Sequence, residues 1–334
     1  MDIVIERGKT VKLDQLPEYS IALDGMVQGP IRDLENHRYS FDHHSGCIRD
    51  CTFATCMQAW VAVEGGLDPA RYTIRCNDVD IDVCMAVWVL KNPSRLREPL
   101  VIKLVDAVNM GDMFAGGISI NGMVKTVEWV SAPQTDSLRN GDYHKLSNDG
   151  LKTVLEATMN RITQYVNGEA LNDIADRDVE SDFDIKRKEN GWVLVESNDP
   201  HIYSTLYAAG FDRIVLLRPQ DDGSLAVSLA KRTDYIDHFP LELMFKELNK
   251  LEPGWGGGST IGGAPRNEDG SRSKLPIDTI LEVVNACVEG RKPDVKKPSV
   301  RKPAVRKKVA KKAIVKKKVT KKAAAKRKTI PPKD

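Results

Sequence analysis

The stretch that decides the fold runs from RYSFDHHSG (residues 38–46) through TFATCMQAWVAV (52–63) and YTIRCNDVD (72–80) to IDVCMAVWVLKN (81–92). Short runs rich in β-branched and aromatic residues alternate here with segments whose apolar residues recur at helical spacing. YSIALDG (19–25) adds another strand before them. This alternation predicts an α/β fold with a parallel sheet that helices cover on both faces.

Polar residues follow each predicted strand, and ligands of open α/β sheets bind at the carboxyl ends of the strands. LVIKLVDAVNMGD (100–112), another apolar run, supplies further carboxylates. We therefore expect the following side chains to converge at one edge of the sheet: Asp24, Asp42, His43, His44, Asp78, Asp80, Asp82, Asp106 and Asp112.

Carboxylate oxygens with histidine nitrogens are ligands that suit Mn²⁺ and related ions, and a pair of such ions can activate water against a phosphoester. Each residue alone has a simpler interpretation. Asp24 could be a helix cap or turn former, His43 and His44 a surface pair, and the acids of residues 78–82 a solvated loop. Their coincidence at consecutive strand ends favours the metal site.

The rest of the body predicts a second, smaller α/β domain. A helix over residues 149–166 is followed by a charged stretch, 168–190, that we interpret as a linker. Strands are predicted at 191–197, 211–218 and 224–232, the last two joined by a turn at 221–223, and helices at 201–209, 241–251 and 276–290. The predicted division is 1–167, 168–190, 191–290 and a tail at 291–334.

The tail differs from the body in charge. Residues 291–334 carry 20 basic and 2 acidic residues, so the 50 basic and 47 acidic residues of the chain leave 30 and 45 for the body, a net charge of −15. Such a tail cannot build a core, and we expect it to be disordered and to bind polyanions in a salt-dependent way. An alternative is that it folds back on the acidic body.

Composition excludes other classes. No run approaches the roughly 18 apolar residues of a membrane-spanning helix, and the first residues lack the features of a secretory signal. We therefore expect a cytoplasmic protein, associated with the nucleoid if the tail binds DNA. The 6 cysteines show no CxxC spacing, so disulfides are not expected.

Two motifs resemble those of the DHH phosphoesterase superfamily. FDHHSG (41–46) with TFATCMQAW behind it is similar to the Asp-His-His signature, and CNDVDIDVCMAVW (76–88) is similar to the aspartate-rich motif. Residues 191–266, which end in GWGGGSTIGGAPR, resemble the DHHA1 domain that accompanies the catalytic domain. The resemblance covers most of residues 19–266 and implies a parallel-sheet catalytic domain followed by a DHHA1-like domain.

The resemblance also implies roles, which we carry over one residue at a time. Asp80 and Asp82 would each bind one of two Mn²⁺ or Mg²⁺ ions, Asp24 would bridge the ions and His43 would be a ligand. His44 would contact the substrate phosphate. Asp42 would orient a histidine, as carboxylates do behind metal-bound imidazoles. The remaining family aspartate, on a later strand, corresponds best to Asp106 and next to Asp112.

Three features depart from the family pattern. The aspartate motif follows the Asp-His-His motif instead of preceding it, as in a circular permutation. Cys76 stands where a metal-binding histidine is usual, and a thiolate ligand would favour Zn²⁺. Ser259 replaces the histidine that commonly follows the triple glycine. The glycine segment is either a flexible linker or a substrate loop, in which Gly256, Gly257, Gly258, Ser259 and Arg266 would contact the substrate.

The function implied is a metal-dependent phosphoesterase that hydrolyses a phosphodiester in a short oligonucleotide or nucleotide-derived substrate. A pyrophosphatase or phosphomonoesterase is the alternative among enzymes. The alternative from another class is a catalytically degenerate protein that binds DNA or RNA through its basic tail. No membrane partner is expected, and a homodimer stays open.

Overall fold

The structure is a computed structural model that describes residues 1–44, 46–114, 116–118, 120, 122–175, 183–199, 202–220, 224–267 and 271–295. The strands are β1 (Ile3–Ile5), β2 (Ser20–Leu23), β3 (Ile31–Asp33), β4 (Arg38–Phe41), β5 (Thr73–Cys76), β6 (Asp184–Glu189), β7 (Trp192–Glu196), β8 (Arg213–Pro219), β9 (Leu225–Lys231), β10 (Gly256–Gly257) and β11 (Ile261–Gly263).

The helices complete a mixed α/β fold, as the sequence predicts. They are α1 (Thr55–Glu64), α2 (Ile81–Lys91), α3 (Pro99–Met113), α4 (Val124–Arg139), α5 (Asn148–Val166), α6 (Leu171–Ala175), α7 (Ile202–Ala208), α8 (Leu241–Leu251) and α9 (Ile277–Val288). Among the described helices, none is both long enough and apolar enough to cross a membrane.

The first sheet has the strand order β1-β5-β2-β4-β3. All neighbours are parallel except β3, which runs antiparallel to β4 at the edge. In this register Leu23 lies beside Phe41, so β2 and β4 end side by side. This sheet and helices α1 to α6 form the first lobe.

Helix α2 lies at the centre of the first lobe. Its residues 82–90 are all buried, because α1, α3, α4 and α5 pack around it. A helix buried on every side needs an apolar sequence all round, and IDVCMAVWVLK has one. The indole nitrogen of Trp88 donates to the hydroxyl of Thr163 on α5 at 2.9 Å, which satisfies the polar atom of this buried ring. The tight core fixes the loops that emerge at the strand ends.

The second sheet, β6 to β11 with helices α7, α8 and α9, forms the second lobe. Its strand order is β10-β11-β9-β8-β7-β6, and only β7 and β8 are parallel among the described pairs. The predicted strands and helices of this region are present, whereas the predicted turn at 221–223 lies outside the described residues. Both lobes belong to one compact unit, and Arg232 Nε of the second lobe donates to the carbonyl of Gly117 at 2.8 Å.

Two sequence predictions are wrong about secondary structure. Residues 184–189, predicted as linker, form edge strand β6, whose charged side chains are mostly exposed, as is common where an edge strand faces water. The apolar run at 100–112 is helix α3 and not a strand. Pro99 occupies the first turn, where its missing N–H costs nothing. The basic segment from residue 296 lies outside the described residues.

Candidate metal centre

The ends of β2 and β4 bring the first candidate ligands together. Because Leu23 pairs with Phe41, the residues that follow them, Asp24 and Asp42, leave the sheet at the same edge. The backbone N–H of Asp24 donates to the carbonyl of Phe41 at 2.9 Å, which extends the ladder by one bond. The prediction that these strand ends converge is confirmed.

His43 lies at the centre of a group of carboxylates and is fully buried. Its Nε2 lies 2.6 Å from Asp112 Oδ2, 3.7 Å from Asp24 Oδ1 and 3.8 Å from Asp82 Oδ2. Among the described residues neither ring nitrogen has a partner with hydrogen-bond geometry, and Asp112 Oδ2 has none either. Buried polar atoms without partners are rare in proteins, so these atoms point to a ligand.

Asp24 connects this group to the helix behind it. Its carboxylate lies 3.2 Å from His44 Nε2 and accepts from the Thr55 hydroxyl at 3.2 Å. Its backbone has a φ of +43°, in the left-handed region that residues other than glycine rarely adopt. Strain of this kind costs on the order of 1 kcal/mol and is concentrated at functional sites.

Asp82 sits in the first turn of α2 and faces the start of α1. The backbone N–H groups of Thr55 and Cys56 each donate to its carboxylate at 2.8 Å. These N–H groups have no partner within α1, because they lie at the N-terminus of the helix, where a negative charge is stabilised. Nevertheless burial, followed by the charges of Asp112 and Asp24, raises the pKa of Asp82 to about 7.

Asp112, the second choice for the remaining family aspartate, belongs to the cluster. It lies in the last turn of α3, and Arg49 Nη2 donates to its Oδ1 at 3.2 Å and to its carbonyl at 3.0 Å. Burial favours the neutral carboxyl, but His43 and Arg49 outweigh it and lower the pKa of Asp112 below its ordinary value. Asp112 is therefore charged at neutral pH.

Asp106, the first choice, is not brought into the cluster. It lies on an exposed face of α3, six residues before Asp112. The prediction chose Asp106 because it took this segment for a strand. Residues six apart on a helix point in different directions, about 240° apart. Helical periodicity therefore explains why Asp112, and not Asp106, reaches the cluster.

Asp80 begins α2 as its N-cap, and its Oδ1 accepts the N–H of Val83 at 2.9 Å. Burial, followed by the charges of Asp24, Asp112 and Asp82, raises the pKa of Asp80 well above its ordinary value. The aspartate lies near the cluster, and one of its oxygens is committed to the helix.

Cys76 is a buried member of the apolar core at the end of β5. Burial, with the charges of Asp78, Asp80 and Asp24, raises the pKa of its thiol to about 12. Without a metal the neutral thiol is therefore strongly favoured. Cys76 belongs to neither of the two candidate ligand groups among the described residues.

The predicted role of Asp42, to orient a histidine, stays a prediction. Its buried carboxylate accepts three backbone N–H groups, from Gly25 at 3.0 Å, Gly29 at 2.6 Å and His44 at 3.1 Å, so its contact with a histidine is to the backbone. It fixes the loop after β2 against the loop after β4. Asp42 thus positions Asp24 and His44 through the backbone.

His44 lies at the mouth of the cluster, with 36% of its side chain exposed. Burial lowers the pKa of His44, but the hydrogen bond to Asp24 and the charges of Asp24 and Asp112 outweigh it and raise the pKa to about 9. His44 is therefore protonated at neutral pH at the edge of the buried acidic group.

The described residues contain two groups whose ligand atoms lie within 4.8 Å of one another, Asp24 with His43 and His44, and His43 with Asp82 and Asp112. The buried Asp and His side chains could hold a metal ion. Asp80 belongs to neither group. Sequence reasoning missed Thr55, Arg49 and Asn109, whose Oδ1 accepts the N–H of Ala54 at 2.9 Å before α1. No motif marks these three supporting residues.

The glycine segment is a tight hairpin. Gly256 pairs with Gly263 and Gly257 with Gly262, and a Cβ on Gly262 would lie 2.5 Å from the carbonyl oxygen of Gly256. A Cβ on Gly257 or Gly263 would also collide with backbone atoms, whereas one on Gly256 would meet open space. The segment is therefore a paired hairpin and not a flexible linker. Ser259 at the tip donates to Asp234 Oδ2 at 2.7 Å.

Arg266 belongs to a group of positive side chains. It is exposed, and Asn267 closes the segment behind it by donating its N–H to the carbonyl of Ser271 at 3.1 Å, so that Arg272 follows close by. Burial, then the charges of Arg266 and Arg218, lowers the pKa of Arg272.

His144 of the first lobe is influenced by charges from both lobes. Burial, then the charges of Arg266 and Arg272, lowers the pKa of His144, while Asp78 acts in the opposite sense. Tyr143, next to it, donates its hydroxyl to Asp78, two residues before Asp80.

The comparisons with known proteins leave the geometry to carry the functional argument. No protein-family model matches the chain, and no curated protein sequence matches it.

Proposed function

We propose that the protein is a metal-dependent phosphoesterase that hydrolyses a phosphodiester in short oligonucleotides or nucleotide-derived substrates. The observation that carries the proposal is the buried cluster of Asp24, His43, Asp82 and Asp112, in which one imidazole nitrogen lies within 3.8 Å of three carboxylates. Several carboxylates buried within reach of one another repel, unless a cation lies between them.

The donor set fits Mn²⁺ or Mg²⁺. It consists of carboxylate oxygens and one buried imidazole, with Asp24 within reach of the two histidines and Asp80 near the cluster. Hard oxygen ligands suit both ions, and imidazole nitrogen favours Mn²⁺. Two such ions supply an activated water and a stabilised leaving oxygen in phosphoester hydrolysis.

The protein's own residues supply substrate contacts. His44, protonated at neutral pH, faces outward from the cluster and would bind a nonbridging phosphate oxygen. Arg266, Arg272 and Arg218 of the second lobe would bind a further phosphate of a nucleotide substrate, because guanidinium groups match phosphate geometry. Asp42 and Thr55 hold the ligand-bearing loops in place.

The test is hydrolysis by the purified full chain with Mn²⁺, Mg²⁺ or Zn²⁺, offered a dinucleotide, a short single strand, a cyclic dinucleotide and pyrophosphate. We expect Asp112→Asn to reduce turnover by about a hundredfold or more and to weaken Mn²⁺ binding, because it removes a charged ligand. Asp106→Asn is the matched control, since it changes an exposed aspartate on the same helix.

Equal effects of the two substitutions, or no turnover with any metal, would overturn the proposal. Turnover of pyrophosphate alone would instead favour the pyrophosphatase alternative. The charge of the tail favours a second candidate function, nonspecific binding of DNA or RNA, because it concentrates 20 basic residues in residues 291–334.

A further inference from the structure

A cavity of about 570 Å³ lies in the first lobe, and none of Asp24, His43, Asp82 and Asp112 lines it. Its lining includes Tyr39 and Phe41 of β4 and residues at the end of α1, whereas Thr55 begins that helix. The volume lies within the range of about 300–1,000 Å³ that is typical of small-molecule sites. Nothing in the proposed phosphoesterase reaction uses it.

Aromatic rings form much of the cavity wall. His37, Tyr39, Phe41 and Tyr72 line it, and Tyr39 lies with its ring centroid 5.6 Å from that of Tyr72 and 6.4 Å from that of Phe41. Tyr39 and His37 are half-buried, so that part of each side chain stays accessible. Flat π-faces at a cavity wall are suited to stack on a flat heterocycle.

The backbone at the mouth is held in an unusual conformation. His37 has a φ of +52° and Tyr19 a φ of +56°, both in the left-handed region, and their rings stack with centroids 4.5 Å apart. Two bulky residues that touch each other and both have left-handed φ values are rare, because in that conformation the Cβ atom clashes with the backbone. The stack on Tyr19 holds the ring of His37 where it lines the cavity.

Two arginines complete the lining, Arg32 on edge strand β3 and Arg71 before β5. Arg71 lies over the ring of Tyr19 and donates to its hydroxyl at 3.0 Å, and Arg32 is exposed with no ion-pair partner among the described residues. The carboxylate in the lining, Asp68, accepts the N–H of Ala70 at 3.2 Å. The cavity therefore offers guanidinium groups to an anion.

We propose that this cavity binds a nucleoside monophosphate, with the base stacked on the aromatic wall and the phosphate held by Arg32 and Arg71. The ring faces select a flat heterocycle, and the two guanidinium groups select a phosphate over a neutral group. The site shares no lining residue with the candidate metal centre and needs no metal.

The test is binding of AMP and GMP to the full chain in EDTA, by calorimetry, with adenosine as the probe that lacks phosphate. We expect both nucleotides to bind and adenosine to bind at least about tenfold more weakly. Tyr39→Leu and the double substitution Arg32→Gln with Arg71→Gln should each weaken AMP binding by about tenfold or more, the loss expected for one stacking or charged contact. Lys103→Gln, an exposed cation on α3, is the control.

Two further variants separate this site from the rest of the chain. Asp82→Asn in the acidic cluster and Arg266→Gln in the second lobe should leave AMP affinity unchanged. No binding in EDTA, binding that depends on Arg266, or binding unaffected by the double arginine substitution overturns the proposal. If Tyr39→Leu does not fold, the exposed arginine pair carries the test.

Discussion

Two buried aspartates of the first lobe, Asp24 and Asp42, have opposite roles although each follows the end of a parallel strand. Asp42 satisfies three backbone N–H groups and needs no cation. Asp24 lies within reach of two histidines and near other carboxylates. A buried carboxylate that satisfies three backbone donors stabilises the fold, whereas Asp24, which accepts from Thr55 and pairs with His44 beside other carboxylates, could hold a metal ion.

The substitutions Asp42→Asn and Asp24→Asn should therefore affect stability in different ways. In EDTA, Asp42→Asn should lower the free energy of unfolding by about 1–3 kcal/mol, because one amide N–H would face a backbone donor. Asp24→Asn should lower it by less, because the repulsion that it removes offsets the lost ion pair with His44, but it should abolish the stabilisation by added Mn²⁺. Urea unfolding with and without Mn²⁺ measures both. A larger loss for Asp24→Asn in EDTA would contradict this division of roles.

The pKa values of the cluster predict how the metal-free protein responds to pH. Burial and neighbouring charges raise the pKa of Asp82 to about 7, and the pKa of Asp80 is also raised. A carboxyl whose pKa rises on folding stabilises the fold while it is protonated. That stability is present below its unfolded pKa of about 4 and is lost as pH rises through about 7. His44, with a pKa of about 9, acts in the same direction.

In EDTA the melting temperature should therefore fall by several degrees between about pH 5 and pH 9, since each kcal/mol is worth about 2–4 °C in a protein of this size. Mn²⁺ should raise it most at high pH, because metal ligands must be deprotonated. Asp82→Asn should flatten the curve measured in EDTA. A melting temperature that rises steadily over this interval in EDTA would contradict the prediction.

At the scale of elements, the alternation of strands and helices was predictable because each strand is short, apolar and followed by polar residues. α3 shows where that reasoning failed. Its buried residues Leu104, Val105 and Val108 lie on one side, and Asp112 continues that side by helical spacing, whereas Asp106 is exposed. Had the segment been interpreted as a helix, periodicity would have selected Asp112.

Other parts of the site could not be read from the sequence. Thr55 and Arg49 reach Asp24 and Asp112 only because α1 and the turn before it pack over the strand ends. These contacts join residues 31 and 63 positions apart, and no local pattern encodes them. Asp42 shows the same limit, since its backbone partners depend on the path of a loop.

The hairpin of β10 and β11 gives a prediction at this scale. In Gly262→Ala the new methyl would lie 2.5 Å from both the carbonyl oxygen of Gly256 and the ring of Phe245, while in Gly258→Ala the nearest atom lies at 3.7 Å. We expect the first to destabilise the protein by about 1–3 kcal/mol and the second by less than about 0.5 kcal/mol in urea unfolding.

Gly258→Ala also tests the predicted substrate loop. If it weakens substrate binding while stability is retained, the hairpin contacts the substrate. Equal destabilisation by the two substitutions would show that the hairpin does not pack as described.

At the scale of the whole molecule, the ordered body continues past the predicted start of the tail at residue 291. Arg291 Nη1 lies 2.6 Å from Glu282 Oε1 on α9, and Val295 packs against the apolar core of the second lobe. The composition changes near residue 291, but these contacts belong to the body. The segment whose charge can be removed without touching them therefore begins at residue 296.

Deletion of residues 296–334 removes 18 basic residues and 1 acidic residue. We expect the melting temperature and the turnover of a dinucleotide to be retained, while affinity for a longer single strand falls and loses most of its salt dependence. The slope of log affinity against log salt changes by about 0.7 for each phosphate that the tail neutralises on a single strand. Deletion from residue 291 is the comparison, and it should lower the melting temperature because Arg291 and Val295 are lost. If the shorter deletion leaves the salt slope unchanged, nucleic acid binds to the body and the tail has another role.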